Sequence, residues 1–152
     1  MKIIVDALGG DNAPLEVIKG SRMAVDELGY EIVLVGNEKI IKDEAEKNNI
    51  SLSGITIVHA PDVISMDDEP MDVMKSKSNS SMSKGLQLLA LGEGDAFVSA
   101  GNSGALAVGA TLKVKRIKGI KRCAFAPVIP KDKGFFMLID SGANVECRPE
   151  ML

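Results

Sequence analysis

The residues of this chain whose types and spacing fit chemistry sit in three glycine-containing turns and one lysine-bearing segment. The turns are Asp6-Ala7-Leu8-Gly9-Gly10-Asp11-Asn12-Ala13-Pro14, Ser99-Ala100-Gly101-Asn102-Ser103-Gly104 and Asp140-Ser141-Gly142-Ala143-Asn144. Each follows a short apolar run that reads as a strand. Glycine at a strand tip lets the backbone approach a ligand, and a following helix start offers free N–H groups with partial positive charge. One such turn is an ordinary strand-to-helix connection; three in one chain point to a site for phosphate or a similar anion. The cations lie in Glu69-Pro70-Met71-Asp72-Val73-Met74-Lys75-Ser76-Lys77-Ser78-Asn79-Ser80-Ser81. Lys75 and Lys77 are two apart, so a regular helix would send them to different sides. If the helix frays there, both ammonium groups can converge on one anion beside the hydroxyls and N–H groups of Ser80 and Ser81. The alternative is a solvated loop with a serine N-cap.

Other chemistries lack their residues. There is no Gly-x-x-x-x-Gly-Lys-Ser/Thr, and Gly101, Gly104 and Gly109 do not form Gly-x-Gly-x-x-Gly, so neither a P-loop nor a dinucleotide fingerprint is present. His59, the single histidine, falls at a strand end and reads as structural rather than as an acid or base. Cys123 and Cys147 are too few for a disulfide framework or a zinc site and read as reduced thiols. Asp6 and Asp11 would repel an anion, so they are expected to orient lysines or backbone N–H groups, or else to bind a divalent ion. A net charge of −3 argues against a nucleic-acid partner. The opening apolar run stops at Asp6, too short for an export signal, and no run reaches the ~18 residues of a membrane span. A cytoplasmic protein is expected.

The elements that must position these residues alternate strand and helix. Lys2 to Val5 reads as a strand buried on both faces, because Ile3, Ile4 and Val5 are consecutive. A helix follows from Pro14 to about Leu28, capped by Asp11 or Asn12, with Leu15, Ile18, Val25 and Leu28 on its inner face and Gly29 as its stop. Glu31 to Val35 and Ile55 to Val58 read as strands around a charged helix, Asn37 to Asn48, whose apolar stripe is Ile40, Ile41 and Ala45. A short helix is expected near Met71 to Lys77, a longer one from Ser80 or Ser81 to Leu91, a strand from Ala96 to Ser99, and a helix from Gly104 to about Lys118. This βαβ order predicts a parallel sheet with helices on both faces. Cys123 to Ile129 and Phe135 to Ile139, joined by Pro130-Lys131-Asp132-Lys133-Gly134, predict an antiparallel hairpin added to that sheet. The whole chain, 1–152, is expected to be one three-layer, Rossmann-like α/β domain, and it looks cut rather than completed at Leu152.

Four blocks in order carry a family resemblance. Asp6 to Pro14 resembles the Val-Asp-Ala-Met-Gly-Gly-Asp-x-Ala-Pro opening of the PlsX family. Glu69-Pro70 with Lys75-x-Lys77-x-Asn79-Ser80-Ser81 is similar to its second block, Ser99 to Leu106 to its Ser-Ala-Gly-Asn-Thr-Gly-Ala-Leu, and Gly142-Ala143-Asn144-Val145 with Pro149-Glu150 to its Asp-x-Gly-Ala-Asn block. Leu8 replaces the usual Met, Ser103 replaces Thr, and Asp72 stands where a basic residue is common. The match spans the chain but only about the first half of a family member. The resemblance implies an isocitrate/isopropylmalate dehydrogenase-like fold and an acyltransferase that moves a long acyl group from acyl carrier protein to inorganic phosphate.

Such an enzyme needs no cofactor. Phosphate is already anionic near pH 7, the thiolate leaves without strong acid, and the developing oxyanion needs only N–H groups or a cation. The expected catalytic residues are Lys75, Lys77 and Asn102. Gly9, Gly10, Asp11, Asn79, Ser80, Ser81, Gly101, Ser103, Gly104 and Asn144 are expected to bind phosphate or substrate, and no metal is expected. Lys113, Lys115, Arg116, Lys118, Lys121 and Arg122 place six cations within ten residues. They read either as stabilising a helix C-terminus or as a landing patch for acidic acyl carrier protein or anionic lipid. The resemblance also implies a homodimer and peripheral contact with the membrane or with the glycerol-phosphate acyltransferase that uses the product.

Overall fold

Runs of consecutive β-branched residues build the central sheet of the computed structural model, which describes residues 1–144. Four parallel strands, β1 (Lys2–Asp6), β2 (Glu31–Gly36), β3 (Ile55–His59) and β4 (Ala96–Val98), lie in the order β3-β2-β1-β4. Register is direct: Ile4 pairs with Val33 on one side and Phe97 on the other. Alternate residues serve opposite layers. Ile32 and Leu34 bury with Ile18 of α1 (Leu15–Leu28) and with Ile41 and Ala45 of α2 (Glu38–Lys47). Ile4, Val33 and Val35 bury on the other face, against Leu88 and Leu89 of α3 (Ser81–Ala90). The result is the expected three-layer α/β arrangement.

Local stops follow the sequence closely in places. Gly29 ends α1 in the left-handed conformation, φ 65°. Asn37 caps α2 by accepting from the amides of Lys39 and Ile40, and Ser80 caps α3 by accepting from the Ser83 amide. Elsewhere the expectations need correction. Pro14, not Asp11 or Asn12, sits at the start of α1, with no side-chain cap. Leu28 and Ile40 are exposed, because the buried faces turn on Ile18 with Ser21 and on Ile41 with Ala45. The expected helix at Met71–Lys77 is a 3₁₀ turn, Pro70–Met74, followed by a non-helical loop. The helix after the second glycine turn is α4 (Ser103–Gly109), continued by a π-turn, Ala110–Val114, and it ends there rather than at Lys118.

The chain divides into two compact units, one of residues 1–114 and one beginning at Lys115. The second unit contains the antiparallel hairpin, β5 (Val128–Pro130) and β6 (Phe135–Met137). The hairpin forms a two-stranded sheet of its own, not an extension of the parallel sheet as expected. Its strands are three residues long, and Pro127 and Pro130 remove backbone donors at both ends of β5. Val145, Cys147, Pro149 and Glu150 lie outside the described residues.

Candidate functional site

Strand order reverses direction between β1 and β4. In open α/β sheets such a switch point is where ligands bind, beyond the C-terminal strand ends. The loops leaving these two strands are the first two glycine turns. Asp6, 2% exposed at the tip of β1, knits them together. Its Oδ1 accepts from the Leu8 amide at 3.2 Å, and its Oδ2 accepts from Ser99 Oγ at 2.8 Å. Ser99 Oγ in turn accepts from the Gly101 amide at 3.1 Å. Asp6 therefore orients a backbone N–H group and a hydroxyl; among the described residues no lysine reaches it.

Two glycines are required for this approach. A Cβ on Gly9 would stand 2.5 Å from Asp6 Oδ2 and 2.9 Å from Ser99 Oγ. Gly10 has φ +109° and would meet Ala100. Among the described residues the Gly9 and Gly10 amides donate to no backbone carbonyl.

Asn102 links this cradle to the lysine segment. Its Oδ1 accepts from the Ala105 amide at 3.0 Å, capping α4, which fixes the amide orientation. Its Nδ2 then donates to the carbonyls of Ser65, Met66 and Asp68 at 3.2, 3.4 and 3.1 Å. The same 65–68 loop carries the Asp68 carboxylate, which pairs with Lys77. Its hydrogen bond from the Lys77 ammonium, then that from the Ser65 amide, hold the Asp68 carboxyl below the usual carboxylate range. At Gly104 the first turn of α4 packs on Pro70, whose Cγ would be 3.0 Å from an added Cβ. Gly9, Gly10, Gly101, Asn102, Gly104 and Lys77 thus belong to one connected region.

The remaining expected residues divide sharply. Lys75, Asn79, Asp11 and Ser103 are exposed. Ser80 and Ser81 are fully buried. Ser80 Oγ is occupied as the α3 cap, and Ser81 Oγ has no partner among the described residues. Asn144 lies in the second unit, where its Nδ2 donates to the Cys123 carbonyl at 3.1 Å and to Asp140 Oδ2 at 2.8 Å. Desolvation pushes the Asp140 carboxyl up, but hydrogen bonds from the Asn144 side chain and from the Phe125, Ala143 and Asn144 amides bring it below its usual range. His59 Nδ1 accepts from the Glu38 amide at 3.3 Å, which ties β3 to α2. The six-cation run does not form a helix end. Lys115, Arg116, Lys118, Lys121 and Arg122 are exposed in irregular backbone, whereas Lys113 reaches inward.

Sequence reasoning gave no role to Asp68 or Ser99 and read Lys113 only as one of six cations. Ser99 was inside a recognised turn. Asp68 carried no local signal, because its partner is nine residues away across a non-helical loop. A cavity of about 410 Å³ lies between α1 and the β1–β4 side of the sheet, lined mainly by apolar residues such as Val5, Val17, Ala24 and Val98. Asp6 and Ser99 touch it, and no lysine does. Among the described residues no cluster of His, Cys, Asp and Glu has the makings of a metal site, and no helix is long and apolar enough to cross a membrane.

An open parallel sheet with helices on both faces and glycine turns at its switch point defines an α/β protein of the doubly wound kind. The chain belongs to the fatty acid synthesis protein family, whose model matches residues 1–152. It is 46% identical over 149 residues to a phosphate acyltransferase of Thermoanaerobacterium thermosaccharolyticum, covering 98% of this chain and 44% of that protein. It is 45% identical over 153 residues to a phosphate acyltransferase of Clostridium novyi, covering 100% of this chain and 46% of the relative. The chain thus spans under half the length of these relatives. A phosphotransacetylase structure from Streptococcus pyogenes shares the fold at TM-score 0.68 and 18% identity, over 90% of this chain and 45% of that one.

Proposed function

We propose that this chain carries the phosphate-holding half of an acyltransferase that converts long-chain acyl carrier protein thioester and inorganic phosphate into acyl-phosphate and free carrier thiol. One observation carries the reading: Asn102 and the Asp68–Lys77 pair join the glycine turns of the switch point to the lysine loop. The name borne by the relatives, phosphate acyltransferase, supports the coarser part of this reading, acyl transfer involving phosphate.

In the proposed step a phosphate oxygen attacks the thioester carbonyl carbon. The carbonyl π electrons move to oxygen and then return as the carbon–sulfur bond breaks. Sulfur leaves as thiolate and takes a proton from the phosphate or from water. Lys75, exposed and free of a carboxylate partner among the described residues, neutralises the incoming phosphate. Lys77 supplies a cation whose place is fixed by Asp68. Gly9 and Gly10 allow close backbone approach to the anion or to the developing oxyanion. Asn102 acts by holding the loops, since both ends of its amide are occupied by protein groups.

The reading extends to a cytoplasmic homodimer with an isocitrate/isopropylmalate dehydrogenase-like overall fold, in peripheral contact with the membrane or with the glycerol-phosphate acyltransferase that consumes the product. Exposed Lys115, Arg116, Lys118, Lys121 and Arg122 support an acidic or anionic partner. A second reading has a short-chain coenzyme A thioester as donor, on a fold that phosphotransacetylases share. Acyl-phosphate formation from the two thioesters, in an enzyme carrying this chain at its relatives' length, separates them. Carrier-protein thioester should be preferred, and Lys75→Ala should raise the KM for phosphate about tenfold, the scale of one charge-assisted contact. Preference for coenzyme A thioester would establish the second donor. Unchanged phosphate kinetics in both Lys75→Ala and Lys77→Ala would remove the lysine loop from the site.

A further inference from the structure

Lys113 is a cation that the proposed reaction does not use. It lies in the π-turn after α4, a backbone irregularity that recurs at functional sites. Its Nζ donates to Ser83 Oγ at 2.7 Å. Ser83 is fully buried, and its hydroxyl donates onward to the Val73 carbonyl at 2.9 Å. Among the described residues Lys113 has no carboxylate partner, and burial pulls its ammonium below the usual lysine range. Partly buried and without a counter-charge, this ammonium is held by the hydroxyl of Ser83.

What it reaches is the root of the lysine loop. Val73 is the fully buried residue of the 3₁₀ turn. Immediately before it the Asp72 carbonyl accepts from both the Lys75 and Lys77 amides, at 3.0 and 2.9 Å, and the Ser80 amide closes on the Lys77 carbonyl at 3.0 Å. Ser83 is also the residue whose amide Ser80 caps. The relay is held from behind by close packing: a Cβ on Gly109 would collide with Leu86 of α3, so α4 must press directly on that helix.

We propose that Lys113 is a positioning residue for the phosphate loop, acting through Ser83 on the Val73 carbonyl to fix the backbone that presents Lys75 and Lys77. The proposal rests on the reading that this loop holds phosphate, and the test keeps the two apart. Lys113→Met retains the aliphatic stem and removes the donor; Ser83→Ala removes the relay. Amide hydrogen exchange in the phosphate-free protein should rise about tenfold at Lys77 and Ser80 in both variants and stay unchanged at Leu34 in the sheet core. Affinity for inorganic phosphate, measured by calorimetry, should fall about tenfold in each variant, no further in the double variant, and should recover in Lys113→Arg. Unchanged exchange at Lys77 and Ser80, additive losses in the double variant, or no recovery in Lys113→Arg would each overturn the proposal. Protected amides with no phosphate binding in the unsubstituted protein would leave the relay standing and defeat the phosphate reading.

Discussion

The switch-point turns and the lysine loop treat their polar groups in opposite ways. In the turns, Asp6, Ser99 and the Gly101 amide satisfy one another inside the protein, and glycine is used where any side chain would intrude. In the lysine loop, Lys77 is tied to Asp68 while Lys75 stays in solvent. The first region is shaped by exclusion; the second carries charge. Asn102 belongs to both, since one end of its amide caps α4 and the other gathers the carbonyls of the 65–68 loop.

Asn102→Asp breaks this comparison most severely. The cap acceptor survives, but a carboxylate oxygen replaces the donor and faces the Ser65, Met66 and Asp68 carbonyls. The expected loss is about 3–5 kcal/mol, as for a buried charge left unpaired. Asn102→Ala should cost about 2 kcal/mol, from a lost cap and carbonyls left without a donor. Chemical denaturation orders the two, and a more stable Asp variant would show that the linkage is not built as described. Gly9→Ala comes next, at roughly 1–3 kcal/mol of overpacking, because its Cβ would press on Asp6 and Ser99. Lys75→Ala, by contrast, should leave stability within about 0.5 kcal/mol, as exposed positions do.

The smallest effect is an acid one. The Asp68 carboxyl titrates below its unfolded value of about 3.9, so the Lys77 pair is fully present above that pH. It is lost as pH falls through the lowered folded value. Carboxyl chemical shifts followed by NMR should place the Asp68 midpoint under about 3.9 and return it to the ordinary range in Lys77→Met. An Asp68 midpoint that ignores Lys77→Met would show that the pair is not the cause.

Much of the fold was legible because local and global signals agree. Ile3-Ile4-Val5 needs cover on both faces, and Gly29 and Asn37 mark boundaries by conformation and capping. The glycine turns were legible for the same reason. Long-range partners were not. Nothing near Asp68 says that it meets Lys77, and Asn102 reads equally well as a ligand contact or as the N-cap it is. Lys113 looked like one of six surface cations, since spacing on a continued helix cannot foresee the stop at Val114 or the reach to Ser83. The hairpin was legible as a hairpin; which strands it would join was not, because three-residue strands carry no register signal.

The most direct measurement is titration of inorganic phosphate into isotope-labelled protein, with backbone amides followed by NMR. The turns and the loop form one anion site if the amides of Gly9, Gly10, Lys75 and Lys77 shift together along a single saturating curve. Shifts confined to the Lys115–Arg122 stretch, or separate curves for the glycine turns and the lysine loop, would contradict it.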